Sequence, residues 1–296
     1  MASLKEIKSR IKAVKSTAKI TKAMQMISAS KMVKAQTRSN SAYPYAISLK
    51  ELISDLNNIG DYSNPLLDER KENRVGILVI GPSRGFVGGM ITALKIQIAE
   101  FITDKKNVNP DIEISTVSMH KEGLKLCEQL DLNSDYHFSK FIDNPNSNDI
   151  AAIKRVILDN FIGKQYDSVY VAYTYFNNIL IQEPKIEKLL PVPIQQNQQN
   201  HKEKQSKSFL FEPDVATILD TLIPEYIENQ IFSALLNSIA SEHSARMVAM
   251  KSATDNANEL NEKLSLHYNR TRQANITKEI TEIVSASKKK IKNLQN

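Results

Sequence analysis

Glycine and proline are missing from both ends of this 296-residue chain. All eight glycines lie between Gly60 and Gly163, and neither residue type occurs in the 43 residues before Pro44 or the 72 residues after Pro224. Because glycine and proline are the residues that most often end helices, these two segments can form continuous helices of about 60 Å and 100 Å. Both far exceed the average globular helix of about 11–12 residues.

Cysteine and long apolar runs are equally scarce. The single cysteine, Cys127, cannot form an internal disulfide, which excludes a disulfide framework and fits a reducing compartment. It lies in the amphipathic stretch Glu122–Leu130, so we interpret it as a buried structural residue rather than a reactive thiol. No run approaches the ~20 apolar residues that span a bilayer, and the first residues lack a signal-peptide core. We expect no direct membrane insertion, so that any membrane attachment goes through partners.

Positive charge is concentrated at the N-terminal end. The formal net charge is +6, yet the first 40 residues hold ten Lys and Arg residues against one acid, Glu6. Lysine recurs there at helical spacing, at Lys5, Lys8, Lys12, Lys15, Lys19 and Lys22. Such a face could serve nucleic acid, an anionic membrane surface or an acidic protein, or it could simply be solvated. Few aromatic residues are interleaved and no recognised nucleic-acid-binding module is present, which argues against nucleic acid.

Apolar residues at both ends recur at spacings of three and four, which indicates helices with a narrow apolar seam. The N-terminal seam is Leu4, Ile7, Ile11, Val14 and Ala18, and Ile20, Met24 and Ile27 resume it one step over. The C-terminal seam is Ala253, Ala257, Leu260, Leu264 and His267, followed by Ile276, Ile280, Ile283, Ser287, Ile291 and Leu294. A narrow stripe suits one partner helix better than a globular core. We therefore predict that the two terminal helices pair with each other as an antiparallel coiled coil.

The middle of the chain alternates between strand and helix patterns. We predict strands at Val75–Ile80, Ile112–Met119, Asp167–Tyr175 and Lys185–Ile194, with helices at Met90–Ile102, Lys121–Leu130 and Asp149–Phe161. Gln195–Ser206 is interpreted as a solvated polar loop. The predicted fold class is mixed α+β and α/β: a long antiparallel coiled coil with an inserted Rossmann-like α/β domain. The predicted segments are 1–59 (N-terminal helix), 60–213 (α/β domain) and 214–296 (C-terminal helix).

The glycine-rich turn Gly81–Gly89 stands where a nucleotide-binding turn would, between a strand and a helix. It matches neither the Gly-x4-Gly-Lys-Ser/Thr nor the Gly-x-Gly-x-x-Gly pattern. We therefore favour a structural or protein-contact role over phosphate binding, with Arg84 as the charged group available to a partner. The five histidines show no metal spacing, and no nucleophile elbow or zinc-binding helix motif occurs. We expect no catalytic residue, no cofactor and no metal.

Three stretches near the two ends carry a family resemblance. Ile20–Met32 (ITKAMQMISASKM) resembles the N-terminal signature of the gamma subunits of F-type ATP synthases, and Ser241–Asn256 and Tyr268–Val284 are similar to the C-terminal helix of that family. The match covers about 45 residues at specific spacing. The middle is less similar, because Phe86 and Val87 stand where the family's turn usually has Leu-Cys.

The resemblance implies a non-catalytic rotor subunit of a bacterial enzyme complex. Its partners would be the alpha and beta subunits, the epsilon subunit and the membrane c-ring, on the cytoplasmic side of the inner (plasma) membrane. It further implies that Met24 and Arg246 lie near the beta-subunit loops that push the shaft. Gln273, Thr277 and Glu279 would make coupling contacts elsewhere in the ring, and Lys22 and Arg84 are added as partner contacts.

Two other functions remain open from the residues themselves. A nucleic-acid-binding protein with a basic helical arm would bind RNA in a salt-dependent way. A nucleotide-binding enzyme built on the central sheet would be thermally stabilised by its ligand.

Overall fold

The computed structural model describes residues 3–57, 64–139, 145, 147–193 and 214–294. These residues form two compact units: Met1–Ile27 with Met247–Asn296, and Ser28–Arg246. The Gln195–Ser206 segment lies outside the described residues. The division at 59 and 213 stays a prediction; the two units instead divide both terminal helices.

The elements follow one another in the order expected, with one addition. They are α1 (Leu4–Asn57), β1 (Arg74–Ile80), α2 (Met90–Val108), β2 (Glu113–Met119), α3 (His120–Glu128), β3 (Ser134–Phe138), α4 (Ser147–Ile162), β4 (Ser168–Phe176), β5 (Gln182–Leu190) and α5 (Val215–Leu294). The strand β3 was not predicted from the sequence, because it has only five residues and its alternation of Tyr136 and Phe138 with polar residues is too short to stand out. The mixed α/β class with long terminal helices is confirmed.

The terminal helices are 54 and 80 residues long, and Pro44 and Pro224 lie inside them without ending them. Each helix also has a side-chain cap at its start. Ser3 and Glu6 form a reciprocal capping box at the start of α1. At the start of α5, the Asp214 carboxylate accepts the Thr217 backbone N–H at 2.9 Å. None of the helices in the described ranges is both long and apolar enough to cross a membrane.

In the unit of residues 28–246, five strands form one sheet in the order β3-β2-β1-β4-β5. The first four strands are parallel, and β5 pairs antiparallel with β4. Because successive strand residues point to opposite faces, β1 contributes to two cores. Leu78 and Ile80 pack among buried residues of α1, α4 and α5. Val75, Ile77 and Val79 pack with α2 and α3. The sheet is thus covered by helices on both faces.

In the unit formed by residues 1–27 and 247–296, the start of α1 pairs with α5. The buried hydroxyl oxygens of Thr21 and Thr254 lie 2.7 Å apart. Each hydroxyl also lies within hydrogen-bond distance of a carbonyl of its own helix, Thr21 Oγ1 at 3.2 Å from Ala18 and Thr254 Oγ1 at 2.8 Å from Met250, so either hydroxyl can donate the bond between the helices. This contact ties α1 to α5 within a largely apolar seam.

The end of the buried stripe on α5 gives the direction of this pairing. Residues of α5 alternate between exposed and partly buried as far as Thr271, and from residue 272 to residue 285 all are exposed. Thr271 follows Thr254 by 17 residues, and Leu4, where α1 begins, precedes Thr21 by the same number. The helices therefore run in opposite directions. The later seam residues Ile276, Ile280 and Ile283 are exposed because α1 has ended by that level. The predicted seam residues Ile20 and Ile27 are exposed as well, because the buried side of α1 passes through Thr21 and Met24 instead.

The close approach of Gly81 to α3 predicts a steric effect of substitution. A Cβ on Gly81 would lie 2.4 Å from the backbone nitrogen of Gly123, whereas a Cβ on Gly85 would meet nothing within 4 Å. Gly81→Ala should lower the free energy of unfolding by about 1–3 kcal/mol, since backbone must move. The matched Gly85→Ala should change it by less than about 0.5 kcal/mol. Chemical denaturation of both variants checks this, and equal stabilities would contradict it.

The hydroxyl pair predicts a non-additive double-mutant cycle. Thr21→Val removes the interhelix bond and leaves the Thr254 hydroxyl without its partner across the seam, so it should cost about 0.5–1.5 kcal/mol of unfolding free energy. The double variant with Thr254→Val puts two apolar groups of the same shape in the seam, so it should be more stable than the sum of the single changes predicts. Thr17→Val, at an exposed position whose hydroxyl bonds Ala13, is the control. Additive losses measured by denaturation would contradict a direct bond.

Candidate partner-contact site

The turn between β1 and α2 displays exposed side chains on an unusual backbone. The backbone φ angles of Phe86 and Gly88 are 63° and 57°, in the left-handed region that residues other than glycine rarely adopt. The Phe86 ring is 74% exposed, and Arg84 is also exposed. Val87 points the other way and packs with Met90 and Ala245. The turn is therefore anchored on one side and open to solvent on the other.

Glu242 of α5 binds the start of this turn. One carboxylate oxygen accepts the Ser83 backbone N–H at 2.8 Å, and the other accepts the Ser83 hydroxyl at 2.5 Å. The second oxygen also accepts Nη2 of Arg246 at 2.7 Å, one helical turn further along α5. The Glu242 side chain is only 4% exposed. A buried carboxylate needs such donors to offset its lost hydration, and all three come from this chain.

Arg246 binds the next two residues of the turn. Its Nη2 donates to the carbonyl of Arg84 at 2.9 Å and to that of Gly85 at 3.2 Å, while Nη1 lies 3.4 Å from Nδ1 of His243. The Arg246 side chain is 9% exposed. A guanidinium offers five N–H donors in a planar fork, which lets this one side chain bind the carboxylate and two carbonyls together. The pair of Glu242 and Arg246 thus holds the backbone of residues 83–85.

Three serines spaced three residues apart fasten the same stretch of α5 to the sheet. Ser238 donates to the carbonyl of Ile80 at the end of β1, and Ser241 to that of Thr174 in β4. Ser244 donates at 2.9 Å to the carbonyl of Ile179, in the loop between β4 and β5. Small hydroxyl side chains allow α5 to pass close to the carboxyl ends of these strands while satisfying carbonyls that the sheet leaves open.

The turn is not built to hold a phosphate. A phosphate-binding turn directs free backbone N–H groups at its ligand, but here the Ser83 N–H already binds the Glu242 carboxylate. That carboxylate would also repel a phosphate at the same position. Among the described residues, no group of three His, Cys, Asp or Glu side chains could hold a metal ion. The geometry supports a structural or protein-contact role for the turn.

Cys127 does not contribute reactive chemistry. It is fully buried in α3, in the core beneath β1. Burial raises the pKa of its thiol, which reduces the fraction present as the nucleophilic thiolate. The structure therefore agrees with the interpretation of this residue as part of the packing.

Two of the predicted contact residues, Arg84 and Arg246, are brought together at the turn. Arg84 is exposed there, as a partner contact requires. Arg246 is buried and hydrogen-bonded within the chain. The sequence around it did not indicate whether this arginine would be buried or exposed. The other members of this cluster, Ser83 and Glu242, were not predicted. A signal for the Glu242–Arg246 pair was present, since opposite charges four residues apart on a helix are neighbours.

The remaining predicted contacts lie on the paired helices. Lys22 is exposed, with Nζ 3.3 Å from Gln25 Oε1, and Met24 is partly buried. Gln273, Thr277 and Glu279 are exposed on α5. Along α5, Gln273 lies roughly 30 Å beyond Thr254 at a rise of 1.5 Å per residue. Thr254 is the residue that pairs with Thr21. These residues therefore form two separate groups, one near the hydroxyl pair and one on the unpaired end of α5.

The fold combines a sheet covered by helices on both faces with two paired terminal helices, and proteins of the ATP synthase class are similar to it. The family model described as ATP synthase matches residues 3–288. The fold is also that of a chain in the rotor of the Euglena gracilis mitochondrial ATP synthase, with a TM-score of 0.63 at 15% identity, covering 92% of this chain and 98% of that one.

Sequence identity to curated relatives shows which subunit of that class the chain is similar to. The chain is 39% identical to the ATP synthase gamma chain of Dehalococcoides mccartyi (strain CBDB1), over 97% of this chain and 99% of the relative. It is 38% identical to the ATP synthase gamma chain of Histophilus somni (strain 129Pt), with the same coverage of both chains. The chain belongs to the ATP synthase gamma chain family.

Proposed function

We propose that this chain is the central-stalk rotor subunit of a proton-translocating F-type ATP synthase. It rotates within the ring of alpha and beta subunits and couples ion flow through the membrane c-ring to ATP synthesis or hydrolysis. The observation that supports this most directly is the pairing of two terminal helices in opposite directions, in a chain of the gamma family.

The rotor function requires a rod that resists twisting. Residues 4–27 and 247–271 supply it as an antiparallel coiled coil, with the Thr21–Thr254 bond inside the seam. Neither segment contains glycine or proline, the residues that most readily allow a helix to kink. The exposed stretch of α5 from residue 272 to residue 285 carries the coupling contacts, which are Gln273, Thr277 and Glu279.

The sheet forms the Rossmann-like body, with the strand order 3-2-1-4-5 that dinucleotide-binding folds share. In this chain the body serves a mechanical purpose, since it attaches the rotor to the epsilon subunit and the c-ring. The proposed functional segments are residues 1–59 as the N-terminal helix, 60–213 as the α/β domain and 214–296 as the C-terminal helix. The subunit itself carries no catalytic residue and needs no cofactor. It is a peripheral protein of the inner membrane, held on the cytoplasmic side by its partners.

The basic face of α1 meets the acidic loops of the beta subunits. Its lysines repeat at helical spacing without an intervening acid beyond Glu6, so a carboxylate-rich partner is attracted along the whole face. Attraction of this kind steers a partner without demanding one fixed pairing, which suits a surface that must turn. The proposed contacts with the beta subunits involve Lys22, Met24 and Arg84 directly, or depend on a residue that supports such a contact, as with Arg246.

Co-purification tests the assignment. A tagged full-length chain co-expressed with alpha and beta subunits should recover both, whereas it should neither bind RNA at physiological salt nor gain thermal stability from nucleotide. Val14→Pro should reduce recovery of the ring by disrupting the N-terminal helix. Val14→Ala is the matched control and should keep it. Failure of the unaltered chain to recover alpha and beta, with RNA or nucleotide binding instead, would overturn the proposal.

A charge change at Met24 tests the rotating contact. Met24→Lys adds a cation at a partly buried position beside the basic face, so it should hold a beta-subunit carboxylate too tightly and impair coupling more than assembly. We expect ATP-driven proton pumping in inverted membranes to fall roughly tenfold while ATP hydrolysis falls less than about threefold. Met26→Lys, at a 59% exposed position two residues away, is the control. Equal loss of pumping and hydrolysis would count against the contact.

A further inference from the structure

The Glu242–Arg246 pair has a property that a partner-contact role does not explain. Both side chains are almost fully buried, and their charges compensate each other at 2.7 Å. A residue that attracts a partner's charge keeps its own charge accessible. Here the guanidinium instead directs its donors at the backbone carbonyls of Arg84 and Gly85.

We propose that Glu242 and Arg246 are positioning residues, which act by holding the turn of residues 83–86 so that Arg84 and Phe86 face the beta subunits. Glu242 fixes the beginning of the turn through Ser83, and Arg246 fixes its middle through two carbonyls. The inference rests on the proposed rotor function and refines it, because it moves the contact from Arg246 to the exposed residues of the turn.

The backbone conformation of the turn makes such support necessary. Phe86 adopts a left-handed φ of 63°, a conformation that costs a residue other than glycine free energy and persists only where the surroundings impose it. Five hydrogen bonds join Glu242 and Arg246 to residues 83–85 and so hold the backbone that leads directly into Phe86. The three serine anchors in turn fix α5 to the ends of the strands, so the support is itself held in place.

Each member of the pair depends on the other. Removing one of two paired buried charges leaves the other uncompensated, which is far more disruptive than removing a surface charge. Lysine cannot replace Arg246 either, since a single ammonium does not reproduce the fork that reaches two carbonyls and a carboxylate at once. Conservative changes at these positions should therefore alter the turn while the charge is retained.

The test is a double-mutant cycle in the assembled synthase. Arg84→Ala and Arg246→Lys are compared singly and together by the ratio of proton pumping to ATP hydrolysis in inverted membranes. If Arg246 acts through the turn, each single change lowers the ratio by roughly threefold or more, and the double variant loses clearly less than the product of the two single losses, because both changes act on the Arg84 contact. If Arg246 contacts the beta subunits itself, the two losses multiply. Multiplied losses, or an unchanged ratio in Arg246→Lys, overturn the proposal.

Two further variants keep the test decisive. Ser83→Ala removes only the hydroxyl bond to Glu242 and replaces Arg246→Lys in the cycle if the latter does not assemble. Ser244→Ala cuts a bond on the same turn of α5 but releases the loop after β4, so the ratio should stay at the level of the unaltered chain. A general loosening of α5 would lower the ratio in Ser244→Ala as well and would contradict a specific role for the turn.

Recovery of alpha and beta subunits with each variant separates this inference from the proposed function. If the unaltered chain does not assemble with the ring, the rotor function itself fails. If every variant assembles and couples normally, the rotor function stands and only the positioning role is wrong.

Discussion

The pairing of the two chain ends along one narrow seam is the constraint on which the other features depend. Two helices can lie side by side over many turns only if nothing breaks either one, and these segments contain neither glycine nor proline. The seam is narrow and largely apolar, so a single buried hydroxyl pair, Thr21 with Thr254, is enough to specify which residues meet. The seam ends where α1 begins, which leaves residues 272–285 of α5 exposed.

In the unit of residues 28–246, a long helix is attached to a sheet. Side-chain hydrogen bonds from α5 do this at the carboxyl ends of β1 and β4, the edge at which open α/β sheets commonly bind their ligands. In this chain the edge is occupied by the protein itself. Glu242 and Arg246 lie where a ligand's polar groups would otherwise be expected, so the chain's own side chains fill this edge of the sheet.

Family membership and geometry answer different questions about this chain. Similarity over nearly the whole length establishes the gamma family, and with it the proposal of a rotor. The contacts within the chain then separate residues that the motif alone treats alike. Arg84 and Arg246 are both basic residues of the predicted contact set, yet one is exposed on the turn and the other is buried beneath it.

Much of the fold was predictable because it depends on local patterns. The absence of glycine and proline indicated the long helices, the continuous apolar run Val75–Ile80 indicated β1, and β-branched and aromatic residues indicated β2 and β4. The edge strand β3 was missed because it is only five residues long and mostly exposed, so its alternation of Tyr136 and Phe138 with polar residues is a weak signal. Motifs near the two ends were also enough to indicate the family. The burial of Arg246 became visible only in the folded chain, because it depends on Arg84 and Gly85, which lie some 160 residues away in sequence. No pattern within one helix records such a contact.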